Sequence, residues 1–250
     1  PQHPATIRRQ RQMCIRDRYN MARKKRVEKH NSNRGRNNDY GIIPLHKKTI
    51  PHILPRNVAQ EDYLYQLADP KNNIVFAIGP AGTGKTLLCT QMGIKSFMER
   101  EVKKIVITRP AVSVDEQHGF LPGDLKEKMA PWTRPIFDIF EKHFSLSQVE
   151  MMLTENLIEI APLAYMRGRT FEDSWIIADE MQNATKSQMK MLLTRIGVNT
   201  KMIVTGDLKQ HDRGFSENGL SDFVELVKHY EKEELKHIAV SKFDMMDVER

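Results

Sequence analysis

The sequence predicts an α/β fold in which helices cover both faces of a mostly parallel sheet. Short apolar runs rich in β-branched residues alternate along the chain with segments whose apolar residues recur at helical spacing. The first of these runs, residues 74–78, leads directly into a glycine-rich turn and then into a helical pattern. The 250 residues, 40% of them apolar, suffice for one sizeable core. We therefore expect a single three-layer domain over residues 41–250, preceded by a separate arm over residues 1–40.

Six apolar runs with the length and residue types of strands follow one another. They are residues 74–78, 104–108, 157–160, 174–178, 201–205 and 237–240. Each run is rich in β-branched or aromatic residues and is bounded by polar or turn-forming residues. Because strands that alternate with helices pair in parallel, we expect these runs to form one sheet covered on both faces.

Helical patterns fill the intervals between the strands. Asn57 precedes a short pattern that ends near residue 68, and Lys85 opens a second pattern directly after the glycine-rich turn. Thr185 and Ser216 are placed to cap two later helices, the second of which we expect to reach residue 230.

The segment between the second and third strands is harder to assign. Asp124 follows a Gly-Phe-Leu-Pro-Gly turn and precedes a helical stretch, which we expect Pro131 and Pro135 to interrupt. Residues 41–56 contain three prolines and read as an extended strap that leads into the domain.

Residues 79–86 fill every fixed position of the phosphate-binding loop G-x-x-x-x-G-K-[ST]. Its glycines let backbone N–H groups approach phosphate oxygens, and the N-terminus of the following helix adds positive potential. We expect Lys85 to reach the outer phosphates and the Thr86 hydroxyl to ligate Mg²⁺. The residues predicted to contact the nucleotide are Gly79, Pro80, Ala81, Gly82, Thr83, Gly84, Lys85, Thr86 and Leu87.

The fourth strand ends in two adjacent acids, Asp179 and Glu180. At the carboxyl edge of a parallel sheet they would face the phosphate-binding loop. We expect Asp179 to hold Mg²⁺ and Glu180 to orient and deprotonate an attacking water, which converts nucleotide binding into hydrolysis.

The fifth strand ends in Thr205-Gly206-Asp207-Leu208-Lys209-Gln210. Inserted between the first and fourth strands, as in the additional-strand P-loop ATPases, it would place Gln210 beside the γ-phosphate as a sensor. Upstream of the loop, the Gln60 amide has the donor and the acceptor needed to pair with the adenine edge.

Several blocks of sequence together resemble the PhoH family. They are Gly79-Pro-Ala-Gly-Thr-Gly-Lys-Thr, Thr108-Arg-Pro-Ala-Val, Gly119-Phe-Leu-Pro-Gly-Asp-Leu, Ala161-Pro-Leu-Ala-Tyr-Met-Arg-Gly-Arg-Thr, Asp179-Glu-Met-Gln-Asn and Lys190-Met-Leu-Leu-Thr-Arg-Ile-Gly. The resemblance covers about residues 54–250. It implies a RecA-like P-loop fold similar to the first motor domain of superfamily 1 helicases, with Gln60 as the adenine-reading glutamine and Gln210 as the helicase-type sensor.

Helicases of that superfamily carry a second motor domain, for which this chain leaves no room after residue 240. The family also usually continues beyond the end of this sequence, so we expect a C-terminal truncation. Without a second motor domain, the arginine that neutralises the leaving phosphates must come from another subunit of a ring-like oligomer. The candidates are Arg169 and Arg167, followed by Arg134 and Arg213; the same arginines would otherwise cap turns or contact RNA.

The expected function is that of an Mg²⁺-dependent ATPase acting on RNA. RNA as the substrate is implied by the family resemblance alone, and single-stranded DNA remains an alternative. A nucleotide-state switch that regulates a protein partner, without motor activity, is the competing hypothesis. Tight ATP binding with negligible turnover would favour it.

The net charge of +7 comes from the arm, because residues 1–40 contain twelve Lys and Arg against three acids. We expect this arm to be disordered, and it would either contact phosphate backbones or form a solvated tail. Residues 13–18 resemble translated adaptor sequence, and Met21 is a natural start, so residues 1–20 are expected to be non-native.

Two cysteines, Cys14 and Cys89, are too few for a disulfide framework, and we expect Cys89 to be a buried apolar residue. With neither a membrane span nor a signal peptide in the pattern, we expect a cytoplasmic protein.

Overall fold

The computed structural model describes residues 50–110, 125–210, 218–229 and 237–248, with residues 125–131 and 228 described at the level of the backbone. Several residues discussed above lie outside these ranges: the basic arm, residues 41–49 of the predicted strap, the turn and cap at 119–124, Arg213, Ser216 and residue 230.

Six parallel strands form one sheet. They are β1 (Ile74–Ile78), β2 (Lys104–Thr108), β3 (Ile158–Ile160), β4 (Ser174–Ala178), β5 (Lys201–Gly206) and β6 (Ile238–Lys242). The spatial order is β3-β2-β4-β5-β1-β6, and all five pairs of neighbours are parallel. Strand β5 therefore lies between β4 and β1, which confirms the additional-strand arrangement predicted from the sequence.

Six α-helices accompany the sheet in the described part of the chain. They are α1 (Val58–Ala68), α2 (Lys85–Met98), α3 (Leu125–Glu141), α4 (Leu146–Thr154), α5 (Lys186–Leu193) and α6 (Gly219–His229). Asn57 caps α1 by accepting from the backbone N–H of Gln60, and Thr185 forms a capping box with Gln188, as predicted. Helix α6 begins later than expected, and the Asn218 side chain accepts from its first backbone N–H groups.

The alternation of side chains along the strands divides the core between the two faces of the sheet. Val75 and Ala77 of β1 pack with α1 to α4, whereas Phe76 and Ile78 pack with α5, α6 and the short 3₁₀ turns. Both clusters are buried, so the three-layer architecture follows from strands that are apolar on both faces. None of the helices in the described ranges combines the length and apolarity needed to cross a bilayer.

Helix α3 runs continuously through Pro131 and Pro135, so the predicted interruption is wrong. Each proline removes one backbone hydrogen bond, but the two stand four residues apart and affect one side of the helix. Downstream, Ile136 and Phe140 are buried against the sheet. Burial of two large apolar side chains is worth roughly 1.5–3 kcal/mol each, which offsets much of the roughly 3 kcal/mol that each interior proline costs.

Cys89 lies on α2 within the core, as predicted. Burial, together with the nearby charge of Asp179, raises the pKa of its thiol to about 12. The thiol is therefore protonated and behaves as an apolar residue rather than as a nucleophile.

Candidate functional site

The phosphate-binding loop connects β1 to α2 at the carboxyl edge of the sheet. Gly84 stands at the N-cap of α2 with φ +84°, a left-handed conformation that favours glycine. Gly79, at the start of the loop, lies against the segment that follows β6, where a Cβ would stand 2.7 Å from the Cβ of Phe243. Further round, Val248 Cγ1 lies 3.2 Å from the Cβ position of Gly82. The loop is thus supported from behind by residues 243–248.

Lys85 is folded back onto this loop. Its side chain is 8% exposed, and its ammonium group donates to the carbonyls of Gly79 at 2.8 Å and Pro80 at 2.5 Å and to the Thr83 hydroxyl at 3.2 Å. Burial lowers the pKa of Lys85, and the charge of Asp207 is the largest influence opposing that shift. The ammonium group is therefore held ready beside the cavity, with all three of its donors satisfied.

Asp179 follows β4 and joins three segments of the chain. Its Oδ1 accepts a hydrogen bond of 2.9 Å from the Thr86 hydroxyl at the start of α2, and a second from the Thr205 hydroxyl on β5. The backbone N–H of Asp179 continues the ladder to Thr108 of β2. Since parallel strands end at one edge, the two residues predicted as metal ligands, Thr86 and Asp179, come together.

Glu180 adopts a left-handed backbone conformation with φ +53° and ψ +39°. Such a conformation costs a non-glycine residue about 1–3 kcal/mol and is concentrated at functional sites. Glu180 begins the 3₁₀ turn Met181–Asn183, and its carboxylate accepts from the side-chain amide of Gln182.

The turn after β5 places two more polar residues at the same edge. Asp207 is buried and accepts from the backbone of Lys209 through its side chain and from the backbone of Gln210 through its carbonyl. Gln210 is exposed and lines the same cavity, and its role as a γ-phosphate sensor stays a prediction.

These residues line one cavity of about 270 Å³. Its lining residues are Ala81, Gly82, Gly84, Lys85, Thr86, Leu87, Asp179, Glu180, Thr205, Gly206, Asp207 and Gln210. The volume lies below the roughly 300–1,000 Å³ of pockets that enclose a drug-sized ligand, so it suits the phosphates of a nucleotide more than the whole molecule. Of the predicted loop residues, Gly79, Pro80 and Thr83 do not line the cavity, and each bonds Lys85 from behind.

Gln60 lies behind the loop as well and is 1% exposed. Its Oε1 accepts from the backbone of Arg56 at 2.9 Å, and its Nε2 donates to the carbonyl of Thr83 at 3.2 Å. The amide thus ties the N-terminus of α1 to the phosphate-binding loop. Adenine recognition by Gln60 stays a prediction, and it would require these two bonds to be exchanged.

Arg167 and Arg169, the two arginines predicted to act at the nucleotide site of a neighbouring subunit, differ in their surroundings. Arg169 bonds Glu159 at 2.6 Å and lies 4.5 Å from the centre of the Phe171 ring. Burial alone would raise the pKa of Glu159, but hydrogen bonds from Arg169 and Lys104 outweigh it and lower that pKa. Arg167 is exposed and forms no ion pair within the described ranges.

Arg169 bonds Glu159 of edge strand β3, and Arg167 stands two residues before Arg169; β3 is four strand positions from β1 in the sheet. At about 4.8 Å per strand, that distance is roughly 19 Å, too far for contact with the loop of the same chain. Of the remaining candidates, Arg134 pairs with Asp138 and Glu141 of its own helix.

Sequence reasoning missed three residues that the fold brings to the site: Gln182, Thr205 and Asp207. Gln182 and Thr205 act through hydrogen bonds to Glu180 and Asp179, which no spacing rule indicates. A polar triplet at the end of a buried strand, Thr205-Gly206-Asp207, was the available signal, because such residues gather at the carboxyl edge.

Comparison with known proteins agrees with this geometry. A family model described as PhoH-like protein matches residues 52–250. The PhoH-like protein of Bacillus subtilis (strain 168) is 44% identical over 200 residues, which is 79% of this chain and 60% of that protein. The PhoH-like protein of Mycobacterium tuberculosis (strain H37Rv) is 41% identical over 199 residues, 79% of this chain and 54% of that protein.

The Protein PhoH of Escherichia coli (strain K12) is 41% identical over 214 residues, 84% of this chain. The matched region is 58% of that protein, so the chain spans between half and two thirds of the length of these relatives. The family model covers most of the chain, and the all-parallel sheet and the phosphate-binding loop fit its P-loop fold. The chain therefore belongs to the PhoH family.

Proposed function

We propose that this protein binds ATP with Mg²⁺, hydrolyses it, and couples the hydrolysis to an action on RNA. The observation that carries the proposal is the convergence of Lys85, the Thr86–Asp179 pair and Glu180 around one cavity at the carboxyl edge of the sheet. In a P-loop fold this set of groups suits phosphoryl transfer to water.

Phosphate binding follows from the loop and from Lys85. The N-terminus of α2 presents backbone N–H groups to the cavity, where negative charge is favoured. Lys85 exchanges its bonds to the Gly79 and Pro80 carbonyls for bonds to phosphate oxygens, and such charge-assisted bonds are about twice as strong as neutral ones.

The Thr86 hydroxyl and the Asp179 carboxylate fit Mg²⁺, a hard cation that prefers oxygen ligands and retains several waters. When bound, Mg²⁺ offsets the negative charge of the phosphates. Thr86 and Asp179 already lie within hydrogen-bond distance, so both oxygens would be available as ligands once the Thr86 hydroxyl, which keeps its proton, turned its hydrogen away from Asp179.

Glu180 is the group that accepts a proton from the attacking water. Glu180 and Gln210 both line the cavity, so the carboxylate can take the proton while the Gln210 amide orients the same water. Lys85 keeps its proton and neutralises charge on the phosphates during the transfer.

RNA as the target is supported by the likeness to a helicase motor domain and by the basic residues of the arm after position 20, where seven Lys and Arg stand against two acids. Basic arms bind phosphate backbones through electrostatics that weaken with salt. The cytoplasm, where ATP, Mg²⁺ and RNA occur together, is the proposed location.

A ring-like homo-oligomer is proposed because the described part of the chain brings no arginine into the cavity. A neighbour would supply it. Arg167 is the better candidate, since its side chain is exposed, whereas Arg169 is tied to Glu159. An arginine supplied in trans is worth about 10³ to 10⁵ in turnover where it has been measured.

The test is release of phosphate from ATP by size-fractionated protein, with and without single-stranded RNA and with Mg²⁺ present or chelated. We expect Mg²⁺-dependent turnover that RNA stimulates. Equal stimulation by single-stranded DNA would widen the substrate class. Tight ATP binding without turnover in any fraction would contradict hydrolysis and favour a nucleotide-state switch.

A further inference from the structure

Gln182 connects the ends of two strands through one side-chain amide. Its Nε2 donates to Oε2 of Glu180 at 2.5 Å, and its Oε1 accepts from the backbone N–H of Asp207 at 3.2 Å. The residue is 4% exposed. The amide therefore spans from the carboxylate that follows β4 to the turn that follows β5.

The chemistry of its neighbours fixes the orientation of this amide. Flipped by half a turn, the carbonyl of Gln182 would face the Glu180 carboxylate and its NH₂ group would face the Asp207 N–H, so both bonds would become repulsive. A donor to a carboxylate is also a charge-assisted bond, roughly twice as strong as a neutral one. The amide thus holds Glu180 in one direction.

The other end of the amide is attached to a small rigid turn. Asp207 accepts from the backbone of Gln210 at 3.2 Å and from that of Lys209 at 2.9 Å. Gly206, immediately before, allows the close approach, since a Cβ there would stand 2.9 Å from Oε1 of Gln182. A shift of the turn that carries Gln210 is therefore transmitted to Gln182.

We infer that Gln182 is a positioning residue for hydrolysis: it orients the Glu180 carboxylate and makes that orientation depend on the β5 turn. The inference rests on the proposed function, in which Glu180 is the base. The backbone of Glu180 is left-handed at the start of a short 3₁₀ turn, and the bond from Gln182 fixes the direction of its carboxylate. A change sensed at Gln210 reaches the base through the hydrogen bonds of Asp207 and Gln182.

The first experiment is steady-state ATP hydrolysis by Gln182→Met in the full chain. Methionine keeps the length of the side chain and removes both hydrogen bonds. We expect kcat to fall by about tenfold to a hundredfold, as for a misplaced catalytic group, while KM and the affinity for ATP stay unchanged. An unchanged kcat, or a loss confined to KM, would overturn the inference.

A double variant separates positioning from general damage. If Gln182 acts through Glu180, then adding Gln182→Met to Glu180→Gln lowers turnover no further. Additive losses would show that Gln182 acts by another route. If Glu180→Gln alone has full turnover, the base of the proposed function is wrong, and the inference falls with it; full turnover in Gln182→Met beside an inactive Glu180→Gln refutes the inference alone.

Two further variants test the chemistry of the amide and control for a loss of stability. Gln182→Glu is nearly isosteric and keeps an oxygen for the Asp207 N–H, but it sets a second carboxylate against Glu180, so we expect at least as large a loss of kcat. Asn72→Ala removes another buried side-chain amide, bonded to Gln66 away from the site, and its free energy of unfolding is measured beside that of Gln182→Met. Turnover of Asn72→Ala should equal that of the wild type below its melting temperature; a matching loss of kcat there would refute a specific role for Gln182.

Discussion

The Thr86 hydroxyl donates a 2.9 Å hydrogen bond to Oδ1 of Asp179, although 93 positions of sequence separate the two residues. The bond joins the first turn of α2 to the end of β4, across the inserted strand β5. Thr205 of β5 donates to the same oxygen. One carboxylate oxygen therefore links three segments: the start of α2, strand β5 and the end of β4. The cavity keeps its shape only while all three stay in place.

Replacing Lys85 with Ala should abolish productive binding of ATP. The ammonium group supplies up to three hydrogen bonds to charged groups, each worth about 1.5–3 kcal/mol. We expect Kd for ATP, measured by calorimetry, to rise by at least about a hundredfold. Lys71→Ala, which changes an exposed lysine just before β1, is the matched control, and equal affinities in the two variants would remove the role of Lys85.

Replacing Glu180 with Gln should separate binding from chemistry. Glutamine keeps the shape and an acceptor but cannot take a proton from water, so Mg²⁺ATP still binds while turnover falls by about two to four orders of magnitude. Binding is followed by calorimetry and turnover by phosphate release. Wild-type turnover in this variant would assign the base to another residue.

The affinity for ATP should decline at alkaline pH sooner than an ordinary lysine would allow. Burial lowers the pKa of Lys85, so its ammonium loses its proton as pH rises through a value below that of an exposed lysine. The charged form of Lys85 binds phosphate. The affinity for ATP is therefore highest at neutral pH and decreases as the pH rises. Kd measured from neutral to alkaline pH should show this slope, and Lys85→Arg should flatten it, because a guanidinium stays charged. Equal slopes in both proteins would contradict the prediction.

Arg167→Ala and Arg169→Ala should differ in what they damage. Arg169 stabilises the half-buried Glu159, so its loss should lower the free energy of unfolding by about 1 kcal/mol, a modest value because its side chain is 41% exposed. The lowered pKa of Glu159 adds stability above its ordinary pKa, and that stability is lost as pH falls through the lowered value. The deficit of Arg169→Ala measured by denaturant titration should therefore shrink in acid.

Arg167→Ala should instead leave stability unchanged and lower turnover. Mixing it with Glu180→Gln should restore part of the activity, because some sites then pair an intact Glu180 with an intact neighbouring Arg167. Arg169→Ala is mixed in the same way for comparison. If mixing restores nothing for either arginine, the proposal of an arginine in trans fails.

Gln60→Ala distinguishes two roles for one amide. If Gln60 reads adenine, the variant should lose affinity for ATP more than for GTP. If it acts through its bond to the Thr83 carbonyl, both nucleotides should weaken equally, because the loop binds the phosphates they share. Competition binding with the two nucleotides measures the ratio, and unchanged affinity for both would contradict either role.

Local patterns predicted the frame of this molecule well. The phosphate-binding loop and the strands it lies among are contiguous in sequence, so periodicity and turn residues suffice to place them. Helix α4 was missed although Ser145 and Gln148 carry the signature of a capping box, which the structure confirms. The prediction of an interruption at Pro131 and Pro135 was wrong because the burial of Phe140 helps to offset the local cost of the prolines. That burial depends on tertiary packing, which a short window of sequence does not show.

The polar contacts of the site were less accessible to sequence reasoning. Asp179 and Glu180 were recognised because they are adjacent and end a strand. The bond from the Thr205 hydroxyl to Asp179 spans 26 positions and the bond from the Asp207 N–H to Gln182 spans 25, and both depend on the insertion of β5 beside β4. Contacts of this kind follow from topology rather than from spacing.

The packing of residues 243–248 behind the phosphate-binding loop bears on how mutational scans of this family are read. Phe243 lies against Gly79, and Val248 lies against Gly82, yet neither of the two apolar residues lines the cavity. Enlarging either side chain would press on the loop from its hidden side and weaken nucleotide binding, as if a ligand residue had been lost. A functional map drawn from phenotypes alone would therefore assign residues 243–248 to the binding site, although they only support the shape of the loop from outside the cavity.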